Sequence, residues 1–321
     1  ILGINARNLD YIFASNPRQL YRYADNKLET KKIAQSIGVP VPETYGVIEF
    51  QGEVKNLSNI VREHKSFVVK PARGSGGDGI VVISDVTNEG YRKASGSILK
   101  PPDLQYHIYN ILSGMFSLGG QTDKAIIEYA VQFDPVFEEI AYQGVPDVRV
   151  IVYRGVPAMA MLRLPTRASD GKANLHRGGV GVGIDLSTGT TLAGIQKSHY
   201  IDKHPETGHS LCNRQIPHWQ TILDMAARLG DKTEFGYLGV DIVLDQQFGP
   251  LLLEINARPG LAIQISNREG LIGRLEAIDA ALPKLSGVEE KIAFAQERFA
   301  VQKSLHNKVK TDTVLTSSFH K

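Results

Sequence analysis

Cysteine is almost missing from the chain. Of 321 residues only Cys212 carries a thiol, so no internal disulfide framework can form. Neither sign of charge is in excess. The 36 Lys+Arg and 34 Asp+Glu leave a formal net charge of +2, which supplies no global pull toward nucleic acid or anionic lipid. No apolar run reaches the roughly 18–20 residues that a membrane span needs, and no stretch reads as a signal peptide. The expectation is a cytoplasmic protein with no membrane span and no nucleic-acid partner. The chain opens on Ile1-Leu2-Gly3 rather than methionine, as a trimmed product would, and a targeting segment ahead of it is left open. The sequence holds no G-x-x-x-x-G-K-[ST] and neither H-R-D nor D-F-G, so a P-loop and a protein-kinase catalytic apparatus are excluded. It also lacks internal repeats and low-complexity tracts.

What is present is an ordinary globular balance, 42% hydrophobic and 22% charged, with a length that suits about two domains. Glycine stands out. The 31 glycines exceed by about nine the roughly 22 expected at ~7% usage. Gly74, Gly76, Gly77 and Gly79 fill one six-residue window, and Gly178, Gly179, Gly181 and Gly183 fill another. Such clusters mark special backbone angles or a close backbone approach to a ligand.

Pattern and punctuation predict helices over Asn26–Ile37, Leu57–His64, Asp103–Phe116, Pro217–Leu229, Asn267–Leu282 and Val288–Leu305. The first opens on a capping-box pair, Asn26 and Glu29; Pro217 falls in the first turn of the fourth. Strands are expected at Thr44–Ile48, Ser66–Lys70, Ile80–Ile83, Ala125–Tyr129, Val180–Leu186 and Thr190–Ile195. Two hairpins are expected, Val148–Tyr153 with Val156–Leu164 and Tyr237–Leu244 with Pro250–Ile255. Antiparallel hairpins beside separate helices argue an α+β fold.

Gly74–Gly79 fits G-x-G-x-x-G, but the segment after it is strand-like, whereas a dinucleotide fold needs a helix there. The glycines therefore sit in a strand–loop–strand hairpin, with Lys70 ending the strand before it. That is either an ordinary glycine turn or a flap whose bare N–H groups cover phosphates. In the second hairpin, a four-residue loop Gln246–Gly249 pairs Asp245 with Pro250 and places Asp241 opposite Glu254, with Asn256 on the same face. Two carboxylates and an amide oxygen among Leu251, Leu252, Leu253 and Ile255 suit Mg²⁺ or Mn²⁺; a charged solvent-facing edge is the alternative. Basic side chains lead into the second glycine window over Lys172–Gly183, as in a mobile anion-binding loop or a plain surface loop.

Taken in order, these pieces resemble the ATP-grasp superfamily and, within it, the ribosomal-protein glutamate ligase family. The resemblance runs over about residues 25–282. It is carried by Asp25-Asn-Lys27-Leu, Lys70 with the glycine flap, Ile-Ile-Glu128-Tyr129, Asp147-Val-Arg149, Asn174-Leu-His-Arg-Gly-Gly179, Gly-Val-Asp241-Ile and Glu254-Ile-Asn256-Ala-Arg-Pro-Gly260. It implies an ATP-grasp fold, two α+β subdomains clamping ATP between antiparallel sheets. It also implies that Lys27 and Lys70 contact ATP phosphates under a flap that includes Gly74, Ser75, Gly76 and Gly77. Glu128 with the backbone of Tyr129 and Ala130 would hold adenine, and Asp241, Glu254 and Asn256 would hold Mg²⁺ (or Mn²⁺). Arg149, Lys172, Asn174, Arg177 and Arg258 would handle phosphate, carboxylate or acyl phosphate.

The implied reaction is carboxylate–amine ligation through an acyl phosphate, with an amino acid such as glutamate or a peptide as substrate and an amine acceptor. A phosphotransferase and a non-catalytic ATP-binding module are the alternatives. Such ligases carry a substrate-binding domain ahead of the first lysine, where this chain has 26 residues before Lys27; a related branch is expected. Asp134, Glu138 and Glu139 are the candidates for a ribose ligand and His176 for a general base. The expected division is residues 1–24 as an extension, 25–125 and 126–287 as the two subdomains, and 288–321 as a helix and disordered tail. The Arg- and Tyr-rich first 24 residues would either contact substrate or brace the fold, and the last helix would pack on its own domain or on a second copy. His199, His204, His209 and Cys212 near Asp202 match no zinc-ligand spacing.

Overall fold

In a computed structural model of the chain, residues 1–301 are described apart from Ser75 and Ser198. The expected flap residue Ser75, the last positions of the Val288–Leu305 helix and the tail lie outside the described residues.

Two antiparallel sheets organise the chain. The first has β1 (Thr44–Ile48), β2 (Phe67–Pro71), β3 (Val81–Thr87), β4 (Gly90–Lys93), β5 (Ile98–Leu99) and β6 (Ala125–Glu128) in the order β1-β6-β2-β3-β4-β5. β2 and β3 pair antiparallel from Phe67↔Ile83 to Val69↔Val81, which makes the glycine window a hairpin connection. Helix Pro101–Leu112 covers this sheet through Leu104, Ile108, Ile111 and Leu112, the i, i+4, i+7, i+8 stripe of a one-sided helix. These residues share a core with Phe67, Val69, Ile83 and Ile127.

The second sheet has β7 (Asp147–Tyr153), β8 (Val156–Leu164), β9 (Val180–Ile184), β10 (Thr191–Gln196), β11 (His199–Ile201), β12 (Tyr237–Asp245) and β13 (Gly249–Asn256) in the order β11-β10-β9-β8-β7-β12-β13. Every residue of β7 and β12 is buried, on both faces. Their alternation therefore separates two buried environments. Helices Trp219–Thr233 and Gly287–Arg298 pack against the sheet, and Asp147, Arg149 and Asp241 of the candidate site lie on β7 and β12. The β7–β8 turn puts Arg154 at φ 50° and Gly155 at φ 79°, the paired left-handed angles of a two-residue hairpin turn. A Cβ on Gly155 would meet the Asp231 carboxylate at 1.9 Å.

The α+β class stands, and several boundaries move. Asn26 caps helix Lys27–Ser36, its side chain accepting from the Leu28 N–H at 3.0 Å. Glu29 turns instead to Lys32 at 2.8 Å, so the reciprocal half of the capping box is not made. The fourth expected helix runs Trp219–Thr233. Left-handed His218 (φ 55°) starts it, and Pro217 lies outside its first turn. The expected Asn267–Leu282 helix starts only at Ile272 and runs to Ala281, because Arg268 takes φ 53°; a separate short helix, Ala262–Ser266, precedes it. Leu57–His64 shrinks to Leu57–Ile60. β4, β5 and β11 carry too short a pattern to announce themselves.

Residues 4–25 form short helical turns docked on the second sheet. The Asn16 amide donates to the Tyr237 carbonyl at 2.7 Å and accepts from the Tyr237 N–H at 2.8 Å. Arg7 reaches the Pro259 carbonyl at 2.7 Å. The segment thus braces the end of β12 and the turn after β13. Among the described residues no helix is long and apolar enough to cross a membrane.

Candidate active site

The carboxylate hairpin is built from β12 and β13. Asp241 pairs with Glu254, as expected, but by a different route. Asp245 pairs with Gly249 across a three-residue loop, one position from the expected register. A bulge at Leu253, between the pairs Ile242↔Leu252 and Asp241↔Glu254, restores the opposition. The loop is tight because the Asp245 carboxylate accepts from the Gln247 and Phe248 N–H groups at 2.9 and 3.0 Å.

Asp241 is 1% exposed and gripped by two guanidiniums. Arg149, opposite it on β7, donates Nε to Oδ1 at 2.7 Å and Nη2 to Oδ2 at 2.5 Å. Arg163 on β8 donates Nη2 to the same Oδ2 at 2.7 Å and Nε to Asp147 at 2.5 Å. Burial pushes the Asp241 carboxyl up, but Arg149 and Arg163 outweigh it and hold the group below the usual carboxylate range. Asp147 goes the other way. Burial, reinforced by Asp241 and opposed by Arg163, pushes its carboxyl up to about 6.

The Asn256 amide nitrogen lies 3.2 Å from Asp241 and 3.3 Å from Glu254. The three expected oxygen ligands therefore meet, with unequal access: Glu254 is 33% exposed, while Asp241 Oδ2 already accepts three N–H groups. Two carboxylates and an amide are a fitting donor set for a hard divalent cation. For such a cation Glu254 and Asn256, once the amide turned its oxygen inward, would be the reachable donors and Asp241 the buried anchor. Among the described residues no three His, Cys, Asp or Glu side chains cluster as a metal site.

On the first sheet Glu128, at the end of β6, is fully buried between two lysines. It contacts Lys70 of β2 directly and Lys31 at 2.5 Å. Burial pushes Glu128 up, but Lys70 and Lys31 outweigh it and keep it below its ordinary value. Lys31 also donates to the Pro42 carbonyl at 2.7 Å and to Thr44 Oγ1 at 2.8 Å. Tyr129 gives its N–H to Glu43 at 2.8 Å and its hydroxyl to Asp245 at 3.0 Å. Burial and that carboxylate push the phenol up to about 12. Ala130 is buried, its carbonyl accepting from Gln132 at 3.0 Å.

The two sheets are joined by Lys27. Its ammonium donates to the Gly74 carbonyl at 2.6 Å and lies 3.3 Å from Glu254. Gly76, Gly77 and Gly79 all have positive φ, and a Cβ on Gly79 would stand 2.6 Å from the Phe116 ring, so this turn requires glycine. The tip of the flap meets the second glycine loop: Arg177 donates to Asp78 at 2.6 Å and Asn174 reaches the Gly76 carbonyl at 3.5 Å. The Lys172 stem lies 3.4 Å from where a Gly77 Cβ would be. Asn174 also caps the Leu175–Arg177 turn. A cavity of about 20 Å³ remains beneath, lined by Lys27, Gly74, Gly77, Asp78 and Glu254.

Over residues 6–280 the chain matches the family described as sugar-transfer associated ATP-grasp. It belongs to that family. No curated protein sequence matches it. Among solved structures, Rhizobium etli pyruvate carboxylase T882A with acetyl coenzyme A superposes with a TM-score of 0.52 at 16% identity, over 93% of this chain and 22% of that one. D-alanyl-alanine synthetase A from Vibrio cholerae gives 0.47 at 13% identity, over 87% and 66%. The ATP-grasp ligase PsnB with its minimal precursor gives 0.44 at 15%, over 84% of this chain. This chain thus spans 64% of the length of PsnB. The ATP-grasp fold expected from the motifs stands; the family matched is the sugar-transfer associated one, not the ribosomal-protein glutamate ligase branch that the motifs resemble.

Arg258 stacks on the N-terminal segment, its guanidinium 4.8 Å over the Tyr21 ring. His176 Nε2 lies 3.7 Å from where a Cβ on Gly260 would be. Of the ribose candidates, Asp134 caps the Pro135–Phe137 turn, Glu138 is exposed, and Glu139 pairs with Arg214 at 2.8 Å. His204 is buried against the Pro165 carbonyl at 3.1 Å, which gives it a structural role. Lys31 and Arg163 are site residues that the sequence motifs do not name, and Asp147 enters only within the Asp147-Val-Arg149 run. Lys31 stands one helical turn after Lys27, a spacing that was legible. Arg163 and Asp147 pair across β7 and β8 only because a bulge shifts the register between Ile151 and Val152, and no pattern announces it.

Proposed function

We propose that this ATP-grasp protein is an ATP- and Mg²⁺-dependent carboxylate–amine ligase. It would work through an acyl phosphate and release ADP and phosphate, with glutamate or another amino acid as a substrate. The observation that carries this reading is Lys27, whose ammonium links the flap carbonyl of Gly74 to Glu254. The phosphate-covering and cation-holding halves of the site thereby share one charged group. The Asn174–Gly179 and Glu254–Gly260 runs, similar to those of the ribosomal-protein glutamate ligases, support an amino-acid substrate. A reaction fed by ATP fits a cytoplasmic location.

On this reading residues 25–125 and 126–287 form the two subdomains, with 1–24 and 288–321 as flanking pieces. Lys70, aligned by Glu128, and Lys27 hold the ATP phosphates beneath the Gly74–Gly79 flap. Adenine lies against Tyr129 and Ala130. Glu254, Asn256 and Asp241 would hold Mg²⁺, which supplies charge neutralisation on the phosphates. A substrate carboxylate oxygen attacks the γ-phosphorus and ADP departs. The amine then attacks the acyl carbon and phosphate leaves with the carboxylate oxygen. Arg149, Lys172, Asn174, Arg177 and Arg258 position and offset the charge of the acyl phosphate and the tetrahedral oxyanion.

Incubation with ATP, Mg²⁺ and a panel of amino acids, read by mass spectrometry, tests the reading. ADP, phosphate and an amide-linked product are expected. AMP and pyrophosphate, or a stable phosphorylated product, would contradict it.

A further inference from the structure

The cationic side chains expected to meet anions are held in two ways. Arg149 is neutralised by Asp241 and Arg177 by Asp78. Arg258 makes no direct ion pair among the described residues, although its charge is felt at the Asp25 carboxyl; its guanidinium lies over the Tyr21 ring. Tyr21 is itself fixed edge-on to buried Phe235, with ring centroids 5.9 Å apart at 83°. An aromatic face attracts a guanidinium without cancelling its charge or occupying its N–H edge. Arg258 is exposed, so this edge stays available to a ligand.

Its place in the fold gives that edge a direction. Arg258 follows Asn256 by two residues, and the turn it opens reaches Gly260 beside His176 of the polar loop. The neighbouring Pro259 carbonyl is tied down by Arg7 at 2.7 Å. The guanidinium therefore stands where the carboxylate hairpin, the polar loop and the N-terminal segment converge. Of the proposed phosphate contacts, Lys70 lies on β2 of the first sheet, and Lys27 spans from the Gly74 carbonyl to Glu254.

We propose that Tyr21 is a positioning residue that presents Arg258, as a planar fork with no direct ion pair among the described residues, to a carboxylate of the substrate. This rests on the ligase reading and gives the N-terminal segment a part in the site beyond bracing it.

The test is steady-state ADP release by the full chain with Mg²⁺, ATP and whichever amino acid of the panel supports turnover. Tyr21→Leu should raise the KM for that amino acid at least tenfold, with the KM for ATP changed less than twofold. Tyr21→Phe keeps the aromatic face and should restore the wild-type KM. Arg258→Lys, an exposed change the fold tolerates, keeps the charge but loses the fork, and should raise the same KM. An unchanged amino-acid KM in Tyr21→Leu and Arg258→Lys would overturn the proposal, as would a rise confined to the KM for ATP. Wild-type protein that releases no ADP with any amino acid would instead overturn the ligase reading, and the proposal with it.

Discussion

Arg177 donates to the Asp78 carboxylate across 2.6 Å, joining two glycine windows that lie 99 positions apart in the chain. The flap between β2 and β3 is thereby fastened to the loop before β9, above the gap bridged by Lys27. The latch is solvent-facing, with the two side chains 44% and 50% exposed.

Exposed ion pairs contribute about 0–1 kcal/mol to stability. Asp78→Ala and Arg177→Ala should therefore leave the urea midpoint almost unchanged. Both should lower kcat/KM for ATP by about tenfold or more, since one well-placed positioning contact accounts for that much. Equal kinetics in both variants and wild type would remove the latch from the mechanism.

Glu254 and Asp241 should respond in opposite ways to removal. Glu254→Ala takes away a one-third exposed carboxylate; it should fold normally, within about 1 kcal/mol, and release no ADP. Asp241→Asn leaves Arg149 and Arg163 buried without their shared partner, a change that costs about 3–5 kcal/mol. Denaturant unfolding of the two variants checks the contrast.

The buried acids also set a pH dependence. The Asp147 carboxyl, raised to about 6, binds its proton more tightly in the folded chain than in the unfolded one. Its contribution to stability is full below the ordinary carboxylate range and is lost as pH rises through about 6. Asp241 and Glu128 are lowered, so theirs is present above that range and lost as pH falls through their depressed values. Relative to Asp147→Asn, the wild type should gain stability on going from about pH 7 to pH 5. Unfolding at several pH values measures that difference; a difference independent of pH would contradict the assignment.

Much of this is legible in the sequence. The Asn26 cap, the strand–glycine–strand hairpin and the Asp241–Glu254 opposition follow from turn residues and a period of two. That opposition was nonetheless reached by two compensating features, a loop one residue shorter and a bulge at Leu253. What the sequence could not convey is who neutralises whom. Glu128, placed against adenine by resemblance, has its carboxylate engaged by Lys31 and Lys70. Asp241 is shared by arginines from two strands. Such pairings depend on bulges and cross-strand distances, which leave no periodic trace. Likewise Arg268, at φ 53°, delays to Ile272 a helix whose apolar spacing reads as starting at Asn267.

The most direct measurement follows the carboxylate oxygen. With the carboxylate substrate identified from the amide product and labelled with ¹⁸O in the carboxyl that forms the amide, attack on the γ-phosphorus carries one labelled oxygen into the acyl phosphate, and the amine then expels it. The account predicts that the released phosphate contains one ¹⁸O atom per amide formed. Unlabelled phosphate formed alongside the amide would contradict it.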